Sequence, residues 1–208
     1  MITPKDFWNM RSRNFDEQIG PIYQDAYAKT VSNTLKYLKA EDRVLDFACG
    51  TGTTTFEIAP HVAHVRAIDI SDEMVEKAKA KAADLGADNV EISQGELFDP
   101  SLTEGSFDAV MAFNILLYLD NEDEILARIR SLLKPGGMFL SATDCLGDKI
   151  TKVGLKKFWK SHTGSMPYVA FYRMKGLEEL IARSGFTVLE RENLFPAPPN
   201  LFVAARKE

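Results

Sequence analysis

Cysteine is scarce in this chain of 208 residues, which has only Cys49 and Cys145. Neither belongs to a C-x-x-C pair or to a cysteine and histidine spacing typical of a metal site. Two cysteines are too few for a disulfide framework, so we expect reduced thiols, no metal and a cytoplasmic protein. Cys49 is expected to act only as a small residue within a turn.

Long apolar runs are also missing. No stretch approaches the roughly 20 apolar residues of a membrane-spanning helix, and residues 1–8 lack the apolar centre of a secretory signal. Acidic residues outnumber basic ones by 30 to 25, for a net charge of −5, which argues against general binding to nucleic-acid phosphates. An apolar content of 45% is ample for one hydrophobic core. We therefore expect one domain over residues 1–208.

The most informative stretch runs from Val44 to Thr53, where an apolar strand meets a turn of small residues (Val-Leu-Asp-Phe-Ala-Cys-Gly-Thr-Gly-Thr). Small residues at 48, 50 and 52 let the backbone turn sharply and approach a ligand. The helix that follows would direct free N–H groups at the same place. A second apolar run ends in Asp69, whose carboxylate can accept hydrogen bonds from a ribose diol. The pattern predicts the nucleoside-binding half of an α/β sheet.

The same turn resembles motif I of the class I S-adenosylmethionine-dependent methyltransferases, with Ala48 where that family usually has glycine. Thr55 stands where a dinucleotide-binding fingerprint has its third glycine, which disfavours that class. Four further segments resemble later motifs of the methyltransferase family and follow in the right order, at residues 69–74, 94–97, 107–114 and 132–139. The resemblance covers about residues 43–143 and implies S-adenosyl-L-methionine as the cofactor.

The resemblance also implies roles for individual residues. The backbone of residues 48–52 would hold the methionine part of the cofactor, Asp69 the ribose hydroxyls, Glu96 the adenine amine and the Leu97 N–H a ring nitrogen. Structural roles without a ligand stay open for four of these residues. Asp69 could cap a helix, Glu96 could be a surface charge, Met74 could be part of the core and Asn114 could form a turn. The expected cofactor-binding set is Asp46, Ala48, Gly50, Thr51, Gly52, Asp69, Ile70, Met74, Glu96, Leu97 and Asn114.

Strand and helix patterns alternate along the middle of the chain. We expect strands near 43–48, 64–69, 89–94, 107–113 and 137–143, and helices near 53–60, 72–85 and 121–133, as in a doubly wound α/β sheet. A late helix near 175–184 precedes strands 186–191 and 201–205, whose short Pro-rich connection requires an antiparallel hairpin. The resemblance implies a mostly parallel, seven-stranded sheet of order 3-2-1-4-5-7-6.

Four parts of the domain are expected. Residues 1–40 would form an aromatic and charged arm and a helix over 21–39 with Ile22 on its apolar side, residues 43–143 the cofactor-binding core, and residues 175–208 a helix and hairpin. Residues 146–174 would form an insert that covers the substrate. Residues 149–175 contain seven cationic residues and no acidic one, so the rest of the chain carries −12. We call residues 149–175 the basic segment.

Three interpretations of the basic segment stay open. It could be a solvated helix or a lid over an anionic, aromatic or lipid-like acceptor. Contact with a membrane surface is possible but not favoured. Lys149, Lys152, Lys156 and Lys160, called the outer lysines below, follow helical spacing along one side. Aromatic residues cluster in the same segment. Its only histidine, His162, is the one histidine that we would test as a general base.

The expected function is methyl transfer to a small-molecule acceptor, whose O, N or C nucleophile stays unknown. The Asp/Asn-Pro-Pro-aromatic motif of base-amine methyltransferases is absent after the fourth strand, and neither cysteine follows a proline, as cytosine-C5 enzymes require. Leu117 occupies the position where small-molecule relatives often have histidine, so the catalytic residues stay unknown. The alternatives are a non-catalytic S-adenosylmethionine-binding protein and, less favoured, a nicotinamide-dependent oxidoreductase.

Overall fold

The computed structural model describes residues 2–208, apart from the side chains of residues 18–22, and contains a seven-stranded sheet of order β3-β2-β1-β4-β5-β7-β6. Strands β1 to β5 are parallel, and β7 is antiparallel to both of its neighbours. The predicted order and C-terminal hairpin are therefore confirmed. The strands are β1 (Arg43–Phe47), β2 (His64–Asp69), β3 (Val90–Gln94), β4 (Phe107–Phe113), β5 (Leu133–Asp144), β6 (Phe186–Pro196) and β7 (Pro199–Lys207).

Seven α-helices accompany the strands in the described part of the chain. They are α1 (Pro4–Ser12), α2 (Phe15–Leu35), α3 (Thr55–Ile58), α4 (Asp72–Leu85), α5 (Glu122–Leu132), α6 (Lys152–His162) and α7 (Met174–Arg183). Two short 3₁₀ turns, Ala59–His61 and Leu116–Tyr118, complete the set. The helices near 72–85, 121–133 and 175–184 lie where the sequence predicts them.

The N-terminal region differs from its prediction. The expected arm contains the helix α1, whose first turn is capped by the Thr3 hydroxyl accepting from the Asp6 N–H at 3.1 Å. The next helix begins at Phe15 and ends at Leu35, instead of covering 21–39. The predicted packing of Ile22 lies outside the described side chains. Apolar spacing alone misplaced the boundaries, because the start of α2 is held by a tertiary contact between Asp16 and residues of the glycine turn.

Alternating residues of the parallel strands are buried on opposite faces of the sheet, as a doubly wound fold requires. Leu45 and Val110 pack with the apolar sides of α5 and α7. Val44 and Ala109 pack on the other face, with residues of α2 and α3. A smaller third cluster joins Phe7 of α1 to residues that precede and follow α6. The two N-terminal helices and α6 therefore close over the carboxyl edge of the sheet.

The C-terminal hairpin is tighter than expected. The predicted strands end at residue 191 and resume at 201, but β6 extends to Pro196 and β7 starts at Pro199, where those two residues pair. A proline is tolerated as the first residue of a strand, since it needs to donate no ladder hydrogen bond there. The tight turn brings Asn200 to the sheet edge at which β4 and β5 end.

A helix that crosses a bilayer must be long and predominantly apolar. Within residues 2–208, no helix is both long enough and apolar enough to cross a membrane.

Candidate active site

A cavity of about 340 Å³ opens at the carboxyl edge of β1, β2, β4 and β5, where open α/β sheets bind their ligands. Its volume lies within the range of small-molecule sites. Helices α1 and α2 cover one side, and α6 contributes to another. Seven of the eleven expected cofactor residues line it, namely Asp46, Ala48, Gly50, Asp69, Ile70, Met74 and Asn114.

The turn after β1 has three residues in the left-handed region, Ala48 at φ 63°, Gly50 at φ 57° and Gly52 at φ 79°. Glycine adopts this conformation at little cost, but an alanine there is strained by its Cβ. At Gly52 a Cβ would also lie 2.3 Å from the Phe56 ring. The turn therefore exposes backbone to the cavity at Ala48 and Gly50. Gly52 leaves room for the Phe56 ring to pack against the turn.

Asp69 ends β2 and connects the glycine turn after β1 to the residues that precede α4. Its carboxylate accepts a hydrogen bond from the Gly50 N–H and another from the Ser71 N–H, both at 2.9 Å. The residue is only 7% exposed, and burial raises the pKa of its carboxyl. Asp69 thus holds the glycine turn and the start of α4 in place. The residue also lies on the cavity wall, and each carboxylate oxygen can accept a further hydrogen bond.

Asp46, in β1, is fully buried beneath the same turn. Its Oδ2 accepts from the Thr55 hydroxyl at 2.6 Å. Burial raises the pKa of Asp46 to about 6, because the charged form loses its water, and the nearby Asp69 carboxylate adds to the effect. Ionising a buried acid that has no cationic partner lowers the stability of the fold. Asp46 also lies on the cavity wall, so its charge can act on a bound ligand.

Thr51 and Gly52 do not line the cavity. The Thr51 hydroxyl donates to Asp16 Oδ1 at 2.5 Å, and Lys81 lies 2.8 Å from the other oxygen of Asp16. Burial opposes the charge on Asp16, but Lys81 and Thr51 outweigh it and lower its pKa. This cluster fixes the glycine turn to the start of α2 and to α4, so the Thr51 side chain has a structural partner.

Glu96 and Leu97 follow β3 at the same sheet edge, yet neither is part of the cavity wall. Glu96 is exposed to solvent, and Leu97 is 2% exposed within the hydrophobic core. The Leu97 carbonyl accepts from Arg128 Nε at 3.2 Å. Ile70 and Met74, by contrast, do line the cavity, with Met74 almost entirely buried.

Asn114, directly after β4, adopts a left-handed conformation at φ 56°, which asparagine tolerates better than most residues. Its Oδ1 accepts from Asn200 Nδ2 at 2.9 Å, and the same nitrogen lies 2.9 Å from Asp144 Oδ1. Asn114 therefore turns the chain and lines the cavity, and its contact with a cofactor stays a prediction.

The other end of the cavity is built from residues that the sequence alone did not single out. Lys157 of α6 lies 3.2 Å from Asp144 Oδ2 and 5.4 Å from the Tyr118 ring centroid. Aromatic side chains form much of the remaining cavity wall, at Trp8, Phe15, Tyr23, Tyr27, Phe113, Tyr118 and Phe195. Phe15 lies at the opposite end, against Gly50.

Two signals could have found this end of the site. Asp144 ends β5 as Asp69 ends β2, and acids at strand ends of an open α/β sheet face the ligand edge. Trp8 belongs to the aromatic arm that the sequence predicts, and an aromatic residue there is a second candidate for the cavity wall. Lys157 could not be distinguished from the other cations of its segment, because only packing shows that it faces inward.

His162 is not part of the cavity wall. The residue is exposed, its Nδ1 lies 2.9 Å from the Phe158 carbonyl oxygen, and its ring packs 4.0 Å from that of Phe158. Among the described residues there is also no group of three or more His, Cys, Asp or Glu side chains that could hold a metal ion.

Known proteins resemble this chain in sequence and in fold. Residues 38–170 match a family model described as a methyltransferase domain. The demethylmenaquinone methyltransferase of Lactococcus lactis is 30% identical over 172 residues, covering 71% of this chain and 66% of the relative. The magnesium-protoporphyrin O-methyltransferase of Rhodobacter capsulatus is 41% identical over 76 residues, covering 36% of this chain and 33% of the relative. This chain spans less than two thirds of each.

The fold agrees with solved methyltransferase structures. A SAM-dependent methyltransferase from Aquifex aeolicus superposes with a TM-score of 0.73 over 95% of this chain and 98% of its own, at 17% identity. That identity shows a shared fold alone, but the family match covers more than half of the chain. This family match agrees with the glycine turn, the acid at the end of β2 and the order of the sheet. The chain belongs to the class I S-adenosylmethionine-dependent methyltransferases.

Proposed function

We propose that this protein transfers the methyl group of S-adenosyl-L-methionine to a small-molecule acceptor. The observation that carries the proposal is the shape of one cavity, which runs from the glycine turn and Asp69 to a polar pair, Asp144 and Lys157, among aromatic walls. A cofactor and an acceptor could therefore meet in this one cavity. Holding the two in line supplies much of the rate of methyl transfer, because the methyl donor is already activated.

The described residues fit such a cofactor. Asp69 keeps lone pairs for ribose hydroxyls, Ala48 and Gly50 offer backbone atoms to the methionine part, and Ile70 with Met74 offers apolar surface to a flat base. Asp46 would supply negative charge near a cationic cofactor. In this proposal Asn114 borders the reacting end. The adenine contacts that the family resemblance implies for Glu96 and Leu97 would lie outside this cavity wall.

The acceptor class is the finer part of the proposal. The aromatic wall favours a planar, aromatic or lipid-like molecule, and the names of two relatives refer to a quinone and a porphyrin. Of the seven cations in the basic segment, only Lys157 lines the cavity. The outer lysines therefore do not support direct contact with an anionic acceptor inside it.

A membrane surface is the second candidate partner for the basic segment. Ile150 is 91% exposed and Trp159 65% exposed, beside Lys152 and Lys156. Exposed apolar side chains among lysines are typical of segments that bind anionic lipid surfaces. Vesicle binding would favour a lipid-like acceptor.

Isothermal titration with S-adenosylmethionine and with S-adenosylhomocysteine tests the cofactor assignment, with a nicotinamide cofactor as the matched control. We expect sub-millimolar binding of the first two and none of the third. Absence of binding for both sulfur compounds would falsify the proposal. Release of S-adenosylhomocysteine in the presence of a metabolite panel then separates an enzyme from a non-catalytic binder.

A further inference from the structure

Three adjacent strands bring polar side chains to one level at the edge of the sheet. Asn114 follows β4, Asp144 ends β5 and Asn200 lies near the start of β7. Asn200 Nδ2 bridges the other two, at 2.9 Å from each. The Asn114 N–H also donates to the Ala142 carbonyl at 2.6 Å, which ties the end of β4 to β5. The carboxylate of Asp144 is therefore held in one orientation on the cavity wall.

Lys157 is the cationic partner of this carboxylate. Its Nζ lies 3.2 Å from Asp144 Oδ2, and its side chain is 18% exposed. Burial disfavours the ammonium, but Tyr118 and Asp144 outweigh that effect and raise the pKa of Lys157. The pair thus presents a fixed hydrogen-bond donor and a fixed acceptor, side by side, to the same cavity.

Aromatic side chains form the walls around the pair, and two of them, Tyr27 and Tyr118, bring phenol groups close to it. Trp8 packs edge-on against Tyr118, with ring centroids 5.1 Å apart. Tyr27 lies close to Asp144, and burial followed by the Asp144 charge raises the pKa of Tyr27 to about 12, so its phenol stays protonated at neutral pH. A planar ring that carries a hydroxyl matches this surrounding.

We propose that Asp144 and Lys157 bind the nucleophilic oxygen of the acceptor, and that the acceptor is a phenol or an enol. The assignment rests on the proposed methyltransferase function and narrows it to O-methylation. A hydroxyl can accept a hydrogen bond from Lys157 and donate one to Asp144 at the same time, whereas an ether or a hydrocarbon cannot.

The chemical step then balances without a further reactant. The oxygen lone pair forms a bond to the methyl carbon, and the carbon–sulfur bond breaks with its electron pair left on sulfur. The hydroxyl proton passes to Asp144, which acts as the general base and later loses that proton to solvent. Lys157 stabilises the negative charge that develops on oxygen. The products are a methyl ether and S-adenosylhomocysteine.

A plain structural role is the competing explanation, since the ion pair also fastens α6 to the sheet. Binding of two matched probes separates the explanations. In the presence of saturating S-adenosylhomocysteine, 4-nitrophenol and 4-nitroanisole are titrated against the wild-type protein. The titrations are made at pH 6, below the pKa of 4-nitrophenol, so that this probe keeps its hydroxyl. The 4-nitroanisole probe shares the nitrated ring but carries no hydroxyl. We expect the phenol to bind about tenfold tighter or more, as charged hydrogen-bond partners in a buried site imply.

Lys157→Met and Asp144→Asn should each reduce that preference to threefold or less, and Lys157→Arg should retain more of it. Lys156→Met is the matched control, because Lys156 is the exposed neighbour on the same helix, and it should keep the wild-type preference. Affinity for S-adenosylhomocysteine should stay within about threefold in all four variants, since none of these residues belongs to the expected cofactor set.

The outcomes are distinct. A wild-type protein that binds both probes equally, or variants that lose thermal stability while keeping the wild-type preference, overturns the assignment of the pair to the acceptor. A wild-type protein that does not bind S-adenosylhomocysteine contradicts the methyltransferase proposal itself. Formation of 4-nitroanisole from 4-nitrophenol, with a large loss of kcat in Asp144→Asn, would support the role of Asp144 as base.

Discussion

Asp46 provides a sharp test of how the site is built, through the substitution Asp46→Asn. The carboxyl is fully buried, with one hydrogen bond from the Thr55 hydroxyl at 2.6 Å, and its pKa is raised from 3.8 to about 6. An asparagine has nearly the same shape, and its side-chain oxygen can accept the same hydrogen bond. The substitution therefore removes the charge while it keeps the packing.

The magnitude follows from the pKa shift. Below pH 3.8 the acid is protonated in both the folded and the unfolded chain, so its ionisation costs the fold nothing. Between 3.8 and about 6 the folded protein binds more protons than the unfolded chain, so the free energy of unfolding falls as pH rises. A difference of about 2 pKa units corresponds to roughly 3 kcal/mol above pH 6, at about 1.36 kcal/mol per unit.

The assay is urea unfolding of wild type and Asp46→Asn between pH 4 and 8. We expect the variant to match wild type at pH 4 and to be more stable by up to roughly 3 kcal/mol above pH 6.5, or several degrees in Tm. Its affinity for S-adenosylmethionine should fall more than its affinity for S-adenosylhomocysteine, because only the first carries the sulfonium charge that the Asp46 carboxylate would attract.

Asp108→Asn is the control of opposite sign. Burial opposes the charge of Asp108, but Lys134 and the Arg43 N–H outweigh it, so the pKa is lowered. That acid stabilises the fold above its unfolded pKa, and the stabilisation is lost as pH falls. Its variant should be less stable at neutral pH. Parallel stability curves for wild type and Asp46→Asn across the whole range would refute the reasoning about Asp46.

Three further predictions concern the glycine turn and the basic segment. Asp69→Ala should weaken S-adenosylhomocysteine binding at least about tenfold in isothermal titration and lower stability by roughly 1–3 kcal/mol, since it leaves the Gly50 and Ser71 N–H groups without their acceptor; unchanged affinity would contradict the ribose assignment. Ala48→Gly should raise Tm or leave it unchanged, because the left-handed strain of about 1 kcal/mol offsets the entropy of glycine, and a clear loss of stability would contradict that account. Changing all four outer lysines to Gln should leave cofactor affinity unchanged and reduce sedimentation with anionic vesicles, as high salt does for wild type; equal sedimentation of both proteins would leave these lysines as solvated charges.

The sequence by itself predicted the α/β sheet and the turn at its ligand edge, whereas the strand order came from the family resemblance. Small residues at 48, 50 and 52, with an acid at 69, are local features whose backbone and charge requirements are visible without a structure. Alternating strand and helix patterns predicted the sheet, because each element must bury one apolar face. The hairpin followed from a connection too short for a parallel crossover.

Tertiary structure alone decided which side chains meet at the far end of the cavity. Asn114, Asp144 and Asn200 are up to 86 positions apart, and only the pairing of β4, β5 and β7 brings them into contact. Lys157 turns inward because the ion pair with Asp144 compensates its burial, and no local pattern distinguishes it from the exposed Lys156. The boundaries predicted for α2 were wrong for the same reason, since contacts of Asp16 with Thr51 and Lys81, distant in sequence, hold its start.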